Sequence, residues 1–195
     1  MRQIGASVAL TGLKHVGKSA VGRLLARERG ALFLDLDDLL VRRAEQERLP
    51  GFSTRLADDT PPVRSLFRQL GSARFGEWEA EALREVPAIA GDRHVVLATG
   101  GGVCDRSESM ELLSMMFTVL YLHNEHLLLY ERSIRYGIPA FLDPDRPRDH
   151  FLEIADRRDR IYRLHADLTV DLRGCDIRQS TQRVTDVMRE YYARQ

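Results

Sequence analysis

The stretch ALTGLKHVGKSAVGRLLA, residues 9–26, decides the reading of this chain. A short apolar run is followed by Gly12, four residues, then Gly17-Lys18-Ser19, and then by a segment with helical spacing. That is the frame of a phosphate-binding loop between a strand and a helix. In such a loop backbone N–H groups and the helix N-terminus converge on phosphate oxygens, the lysine reaches the β/γ-phosphates and the serine hydroxyl can ligate Mg²⁺. A structural glycine turn would share the spacing, but not the strand before it and the helix after it. The middle of the loop, Lys14-His15-Val16, is unusually bulky.

Moving outward, short, nearly continuous apolar runs alternate with longer amphipathic segments, as in a parallel sheet covered by helices. Strands are expected at residues 7–10, 32–35, 95–98, 117–122 and 168–171. Helices are expected at 17–29, stopped by Gly30, and at 37–47, 63–86 with a break near Gly71, 107–115, 126–135, 148–165 and 179–192. Residues 49–62 and 136–149 are rich in turn formers; the first reads as an excursion and the second as a lid or a plain surface loop. The 195 residues are expected to form one domain, with a helical substrate region over about 37–86 and a lid over about 135–149.

The chain is 44% hydrophobic and 30% charged, which excludes a disordered chain, and its 29 basic and 29 acidic residues cancel, giving no reason to expect a nucleic-acid partner. Two distant cysteines, Cys104 and Cys175, read as reduced thiols. The first residues run directly into the loop without room for a cleavable signal peptide, and no apolar run approaches the ~20 residues of a membrane span. The expectation is a cytoplasmic protein, monomeric and without a membrane partner.

Two more strand ends carry chemistry. After the second comes Asp35-Leu36-Asp37-Asp38, placing carboxylates at the carboxyl edge of a parallel sheet, where α/β proteins bind ligands. One acid near Mg²⁺ and another near a hydroxyl suit phosphoryl transfer, whereas an acid that merely caps the next helix is most readily Asp37 or Asp38. After the third strand come Gly100, Gly101 and Gly102, which invite close backbone approach to a ligand.

The phosphate loop, Asp-x-Asp and Gly-Gly-Gly, together with SLFRQLGSARFGEWEAEAL (65–83) and RRDRIYRLHADLTVD (157–171), resemble shikimate kinase over nearly the whole chain. The resemblance implies a three-layer α/β/α P-loop kinase fold with a five-stranded parallel sheet ordered 2-3-1-4-5. It implies ATP and Mg²⁺ as cofactors and transfer of the γ-phosphate to a hydroxyl of shikimate, in aromatic amino-acid biosynthesis. It implies nucleotide contacts at Gly12, His15, Val16, Gly17, Lys18, Ser19, Ala20 and Arg132, and magnesium at Ser19 and Asp35. Catalysis falls to Asp37 and Lys18. Substrate contacts fall to Asp37, Glu79, the three glycines (Gly101 foremost) and Arg158, whose planar guanidinium suits a carboxylate. Arg157 and Arg160 read as solvated helix charges.

Three positions depart from the family pattern. His15 stands where the family has a small residue, so that it could shield the nucleotide or touch a phosphate, with an affinity sensitive to protonation. Gly76 replaces the arginine of Phe-Arg-x-x-Glu, and Ile138 replaces the lid's arginine before Pro139. Each lost charge-assisted contact is worth roughly 1.5–3 kcal/mol. Arg55, Arg64, Arg135 and Arg146 are candidate replacements, while Arg74 faces away. Three functions follow: a shikimate kinase with rearranged arginines, a same-fold kinase for another small hydroxylated acid or polyol, or a nucleotide- or ligand-binding regulatory module.

Overall fold

The structure, a computed structural model, describes residues 7–54, 61–135, 137–139 and 141–194. Five strands, β1 (Val8–Thr11), β2 (Leu32–Asp35), β3 (Val95–Ala98), β4 (Thr118–His123) and β5 (Leu168–Asp171), form one sheet in the order β2-β3-β1-β4-β5. Every pairing is parallel, as expected. The side chains of Val8, Leu10, Leu97 and Leu120 are fully buried, which explains why the inner strands read as unbroken apolar runs.

The helices are α1 (Lys18–Arg29), α2 (Leu36–Gln46), α3 (Pro62–Ala90), α4 (Ser107–Met116), α5 (His126–Ile134), α6 (Pro147–His165) and α7 (Ile177–Ala193). Most boundaries lie within two residues of those expected. Gly30 closes α1 in the left-handed region, its region capped by the Ala31 N–H to Ala26 O bond of 2.9 Å. In α3 the helical dihedrals break at Gly71 (φ 72°), and the bend lets Phe67 and Phe75 meet edge to face at 5.2 Å. The two cysteines are free. Among the described residues no helix is long and apolar enough to cross a membrane.

The topology itself creates the crevice. Parallel strands joined by right-handed crossovers send α1 to one face, where it packs on α7, and α3, α4 and α6 to the other. Adjacent strands β1 and β3 therefore feed connections to opposite faces, and the gap between their carboxyl ends is where a ligand fits. Gly22 lets α1 lie close on the sheet: a Cβ there would come within 2.7 Å of the Phe33 ring.

Candidate active site

A cavity of about 870 Å³ opens at that crevice. It is lined by the loop after β1 (Lys14, His15, Gly17–Ala20), by Asp35 and Asp37 after β2, by α3 and by Thr99–Gly102 after β3. Two arginines of α6, Arg157 and Arg158, close the far side.

The donor end is built by the loop. Gly12 holds φ 133°, and a Cβ there would lie 2.5 Å from the Leu122 carbonyl oxygen, so only glycine lets the chain turn this tightly against β4. Gly17 begins α1 with φ 106° and no side-chain cap, leaving the N–H groups of the first turn directed out of the helix. Lys18 is buried, and its Nζ donates to the carbonyls of Gly12 (2.8 Å) and Leu13 (2.9 Å). Burial pulls its ammonium down to about 8, against the raising influence of Asp37 and Asp35. An uncapped helix start with a buried cation folded beneath it fits a polyphosphate.

Asp35 is the N-cap of α2: its Oδ1 accepts from the Asp37 N–H (3.1 Å) and its Oδ2 accepts from the Ser19 hydroxyl (2.6 Å). The sequence pointed to Asp37 or Asp38 as the cap. The strand ends at Asp35 as expected, but α2 begins at Leu36, one residue before the expected start, so the cap falls on Asp35 and Asp37 is left free to face the cavity. A serine hydroxyl joined to a carboxylate beside the phosphate loop is an oxygen-rich donor pair suited to Mg²⁺.

Asp37 is half-buried, and desolvation, reinforced by Asp35, raises its carboxyl to about 6 while Lys18 and Lys14 oppose the shift. Next to it lies Glu79, 5% exposed, which burial and the charge of Asp37 push up to about 8. Gly100 makes this pair possible, since a Cβ there would lie 2.6 Å from Glu79 Oε1 and 3.3 Å from Asp37 Oδ1. Glu79 is thus protonated at neutral pH. A carboxyl raised from 4.5 to about 8 stabilises the fold below pH 4.5 and loses that contribution as pH rises toward 8. Glu79→Gln is therefore expected to flatten the decline in stability between pH 5 and 8, by up to about 1.4 kcal/mol per pH unit. Urea unfolding of both proteins at the two pH values measures it.

The glycines and α6 form the opposite wall. A Cβ on Gly101 would strike the Lys14 backbone nitrogen at 2.7 Å, and one on Gly102 would lie 3.0 Å from Arg158 Nη2. The Gly101 carbonyl accepts from Arg158 Nη1 and from the Tyr162 hydroxyl, both at 3.1 Å. Arg158 grips Asp105 with two bonds, Nε to Oδ1 (3.1 Å) and Nη2 to Oδ2 (2.6 Å), and Arg157 adds a third to Oδ1 (3.1 Å). Arg157 is thus part of the cavity wall and not only a solvated helix charge; Arg160 is exposed, as expected.

The other expected residues divide. Gly17, Lys18, Ser19, Ala20, Asp35, Asp37, Glu79, Gly100, Gly101, Gly102 and Arg158 come together on one cavity. Gly12 and Val16 are buried behind the loop, and Arg132 braces it from α5 by donating to the His15 carbonyl at 3.2 Å. His15 lines the cavity in the left-handed region (φ 65°), but burial and the cations Lys14, Lys18, Arg132 and Arg64 lower its imidazole to about 4. It is therefore neutral between pH 5.5 and 8, and the expected protonation-sensitive contact is not present in that range.

Of the proposed replacement arginines, Arg64 lines the cavity and donates to the Ile138 carbonyl at 3.0 Å, tying α3 to the lid segment. Arg146 is paired with Asp143 and Glu153, Arg135 is exposed at the end of α5, and Arg55 lies outside the described residues. Arg74 pairs with Glu77 at the surface. Sequence reasoning missed Lys14, whose ammonium faces Asp37, and Arg106, which lies over Gly76. Lys14 was visible as the cation inside the loop; nothing local marked Arg106.

The chain is similar to known proteins over most of its length. The family model for shikimate kinase matches residues 57–189. A shikimate kinase of Geobacter sulfurreducens is 30% identical over 96% of this chain and 93% of its own length. One of Methylococcus capsulatus is 32% identical over 91% of this chain and 89% of its own. Among solved structures, the shikimate kinase of Acinetobacter baumannii in complex with shikimate superposes with a TM-score of 0.78 at 25% identity, covering 95% of this chain and 93% of that one. Fold, cavity and relatives converge: the chain belongs to the shikimate kinase family, enzymes that use ATP with Mg²⁺ to phosphorylate a hydroxyl group.

Proposed function

We propose that this protein phosphorylates a hydroxyl of shikimate, with Asp37 as the base that receives the hydroxyl proton. The observation that carries the reading is the position of Asp37. Its carboxylate lies between the cations of the phosphate loop and the glycine wall, beside the protonated Glu79. An acceptor hydroxyl on Asp37 is within reach of a phosphoryl group on the loop.

MgATP supplies the phosphoryl group and neutralises its charge. The chain's own residues position and shield. Lys18, now on the carbonyls of Gly12 and Leu13, would donate to phosphate oxygens, the first turn of α1 would donate its free N–H groups, and Ser19 with Asp35 would hold the metal. Asp37 takes the proton as the acceptor oxygen bonds to phosphorus and the bond from phosphorus to the leaving ADP oxygen breaks. Protonated Glu79 donates to a second hydroxyl. Pro139 and Phe141 line the cavity from the 135–149 segment, which acts as the lid that excludes water. Tyr136 and Ala140 of that segment lie outside the described residues.

One observation favours a second reading, a same-fold kinase for another small hydroxylated acceptor: Asp105 already occupies the fork of Arg158. Coupled measurement of ADP release tests both. Release that depends on shikimate supports the first reading. Release that depends only on another acid or polyol from a panel supports the second. ATP binding without turnover on any acceptor overturns both, in favour of a binding module.

A further inference from the structure

The acceptor half of the cavity has a charge problem. A hydroxylated acid that places its hydroxyl on Asp37 must bring a carboxylate to the wall formed by Phe75, Gly76 and α6. Three of the cations there are taken, and a fourth, Arg68, lies exposed on the turn before the Gly71 break. Arg157 and Arg158 are both bonded to Asp105, and Arg64 is bonded to the lid carbonyls.

Gly76 is the clue to what remains. It lies in the body of α3 with helical dihedrals, so its backbone does not require glycine, and glycine inside a helix costs roughly 0.5–1 kcal/mol relative to alanine. What glycine provides is room. A Cβ at 76 would meet Arg106 at Cδ (3.7 Å) and Nη1 (3.8 Å), and any longer side chain would enter the volume that the Arg106 guanidinium occupies. Arg106 lines the cavity from the loop between the triple glycine and α4. Its Nε donates to Glu108 Oε2 at 2.9 Å, while Arg84 pairs with the other Glu108 oxygen, so the guanidinium is held from behind. Among the described residues that is the only hydrogen bond the Arg106 side chain makes, and both terminal nitrogens remain available.

Gly76 and Glu79 are three residues apart on one helix face, about 4.5 Å along the axis, and Glu79 adjoins both Asp37 and Gly100. Gly76, Glu79, Asp37 and Arg106 thus line one cavity, with Glu79 and Asp37 both close to Gly100.

We propose that Arg106, delivered by the loop after the triple glycine, is the cation that binds the acceptor's carboxylate, and that Gly76 is the space cleared for it. This rests on the reading that the acceptor is shikimate or a close hydroxylated acid. The Arg158–Asp105 pair then serves to fix the glycine wall.

Steady-state kinetics with shikimate and with its methyl ester, which keeps the hydroxyls and lacks the charge, test the assignment. Arg106→Leu is expected to raise KM for shikimate about tenfold or more, with KM for the ester and for ATP changed less than about twofold. Arg106→Lys, which keeps a point charge without the fork, falls between the two, and it remains informative if the leucine variant does not fold. Gly76→Arg combined with Arg106→Ser returns a guanidinium to the same volume from α3 and is expected to recover most of the shikimate affinity. A shikimate KM within about twofold of wild type in both single variants overturns the proposal, as does an equal rise for acid and ester. A wild-type enzyme inert toward shikimate overturns the reading of the acceptor itself; an active one indifferent to Arg106 overturns only this assignment.

Discussion

Asp37→Asn is expected to reduce kcat by about three orders of magnitude while leaving ATP binding within a few-fold of wild type, because a positioned general base contributes roughly 10²–10⁴ in rate. The asparagine keeps the shape and one acceptor oxygen but cannot take the proton. ATP meets the loop, Lys18 and Ser19, none of which depends on the Asp37 charge for its place. The wild-type pH profile gives an independent readout. With the Asp37 carboxyl raised to about 6, kcat/KM falls tenfold per unit below that pH and levels off above it, and the mutant's residual rate loses this limb. Stability moves the other way. A carboxyl raised from 3.8 to about 6 stabilises the fold fully below 3.8 and loses that contribution as pH rises through 6, so at pH 7 the charged form is a burden. The asparagine variant is therefore expected to be more stable at pH 7 by about 1–2 kcal/mol, allowing for the side chain's partial exposure. Kinetics and urea unfolding on the same preparation check both signs. A variant that retains near wild-type kcat removes Asp37 from the mechanism.

How much of this was legible follows from which interactions are local. The strands could be read because each is buried on both faces and so is apolar without interruption, as at Val95–Ala98. The phosphate loop could be read because its geometry is set by two glycines and a helix start within eight residues. The sheet order came from resemblance, since nothing in the chain's periodicity says that β3 lies between β1 and β2. The errors are also local. Assigning the cap to Asp37 or Asp38 failed because α2 begins directly at Leu36, with no residue between the strand and the helix, so the last strand residue is itself the cap. Tertiary pairing was invisible. Arg157 looked solvated until Asp105, 52 positions away, was found beside it. Arg106 was overlooked because its relation to Gly76 exists only once α3 and the loop after β3 are folded together. The neutrality of His15 likewise arises first from burial and then from cations, of which only Lys14 is visible in Lys14-His15-Val16, while Arg132 and Arg64 are brought to it by folding.

Lys18→Met is expected to abolish turnover, by about 10³-fold or more, and to remove the thermal stabilisation that MgATP gives the wild type. The ammonium is the one buried cation of the loop, and a buried charge acts on the transferring phosphate more strongly than one at the surface. Methionine fills the same channel with a flexible apolar chain, so the core beneath it is kept. Two opposing effects then act on the ligand-free protein. A lysine lowered from 10.5 to about 8 is penalised while charged: the fold is most stable above pH 10.5 and loses that advantage as pH falls through 8, so at pH 7 the penalty is fully present and the substitution relieves it. Against this, the carbonyls of Gly12 and Leu13 lose their donor, at roughly 1–3 kcal/mol for each that stays dry. The two effects are of similar size and opposite sign, so the ligand-free Tm is expected to move by only a few degrees, while the shift on adding MgATP disappears. Thermal unfolding with and without MgATP, at pH 7 and again near pH 9, separates them, because the relief weakens as wild-type Lys18 gives up its proton. A variant that still gains stability from MgATP as the wild type does would show that the phosphates bind elsewhere than over this lysine.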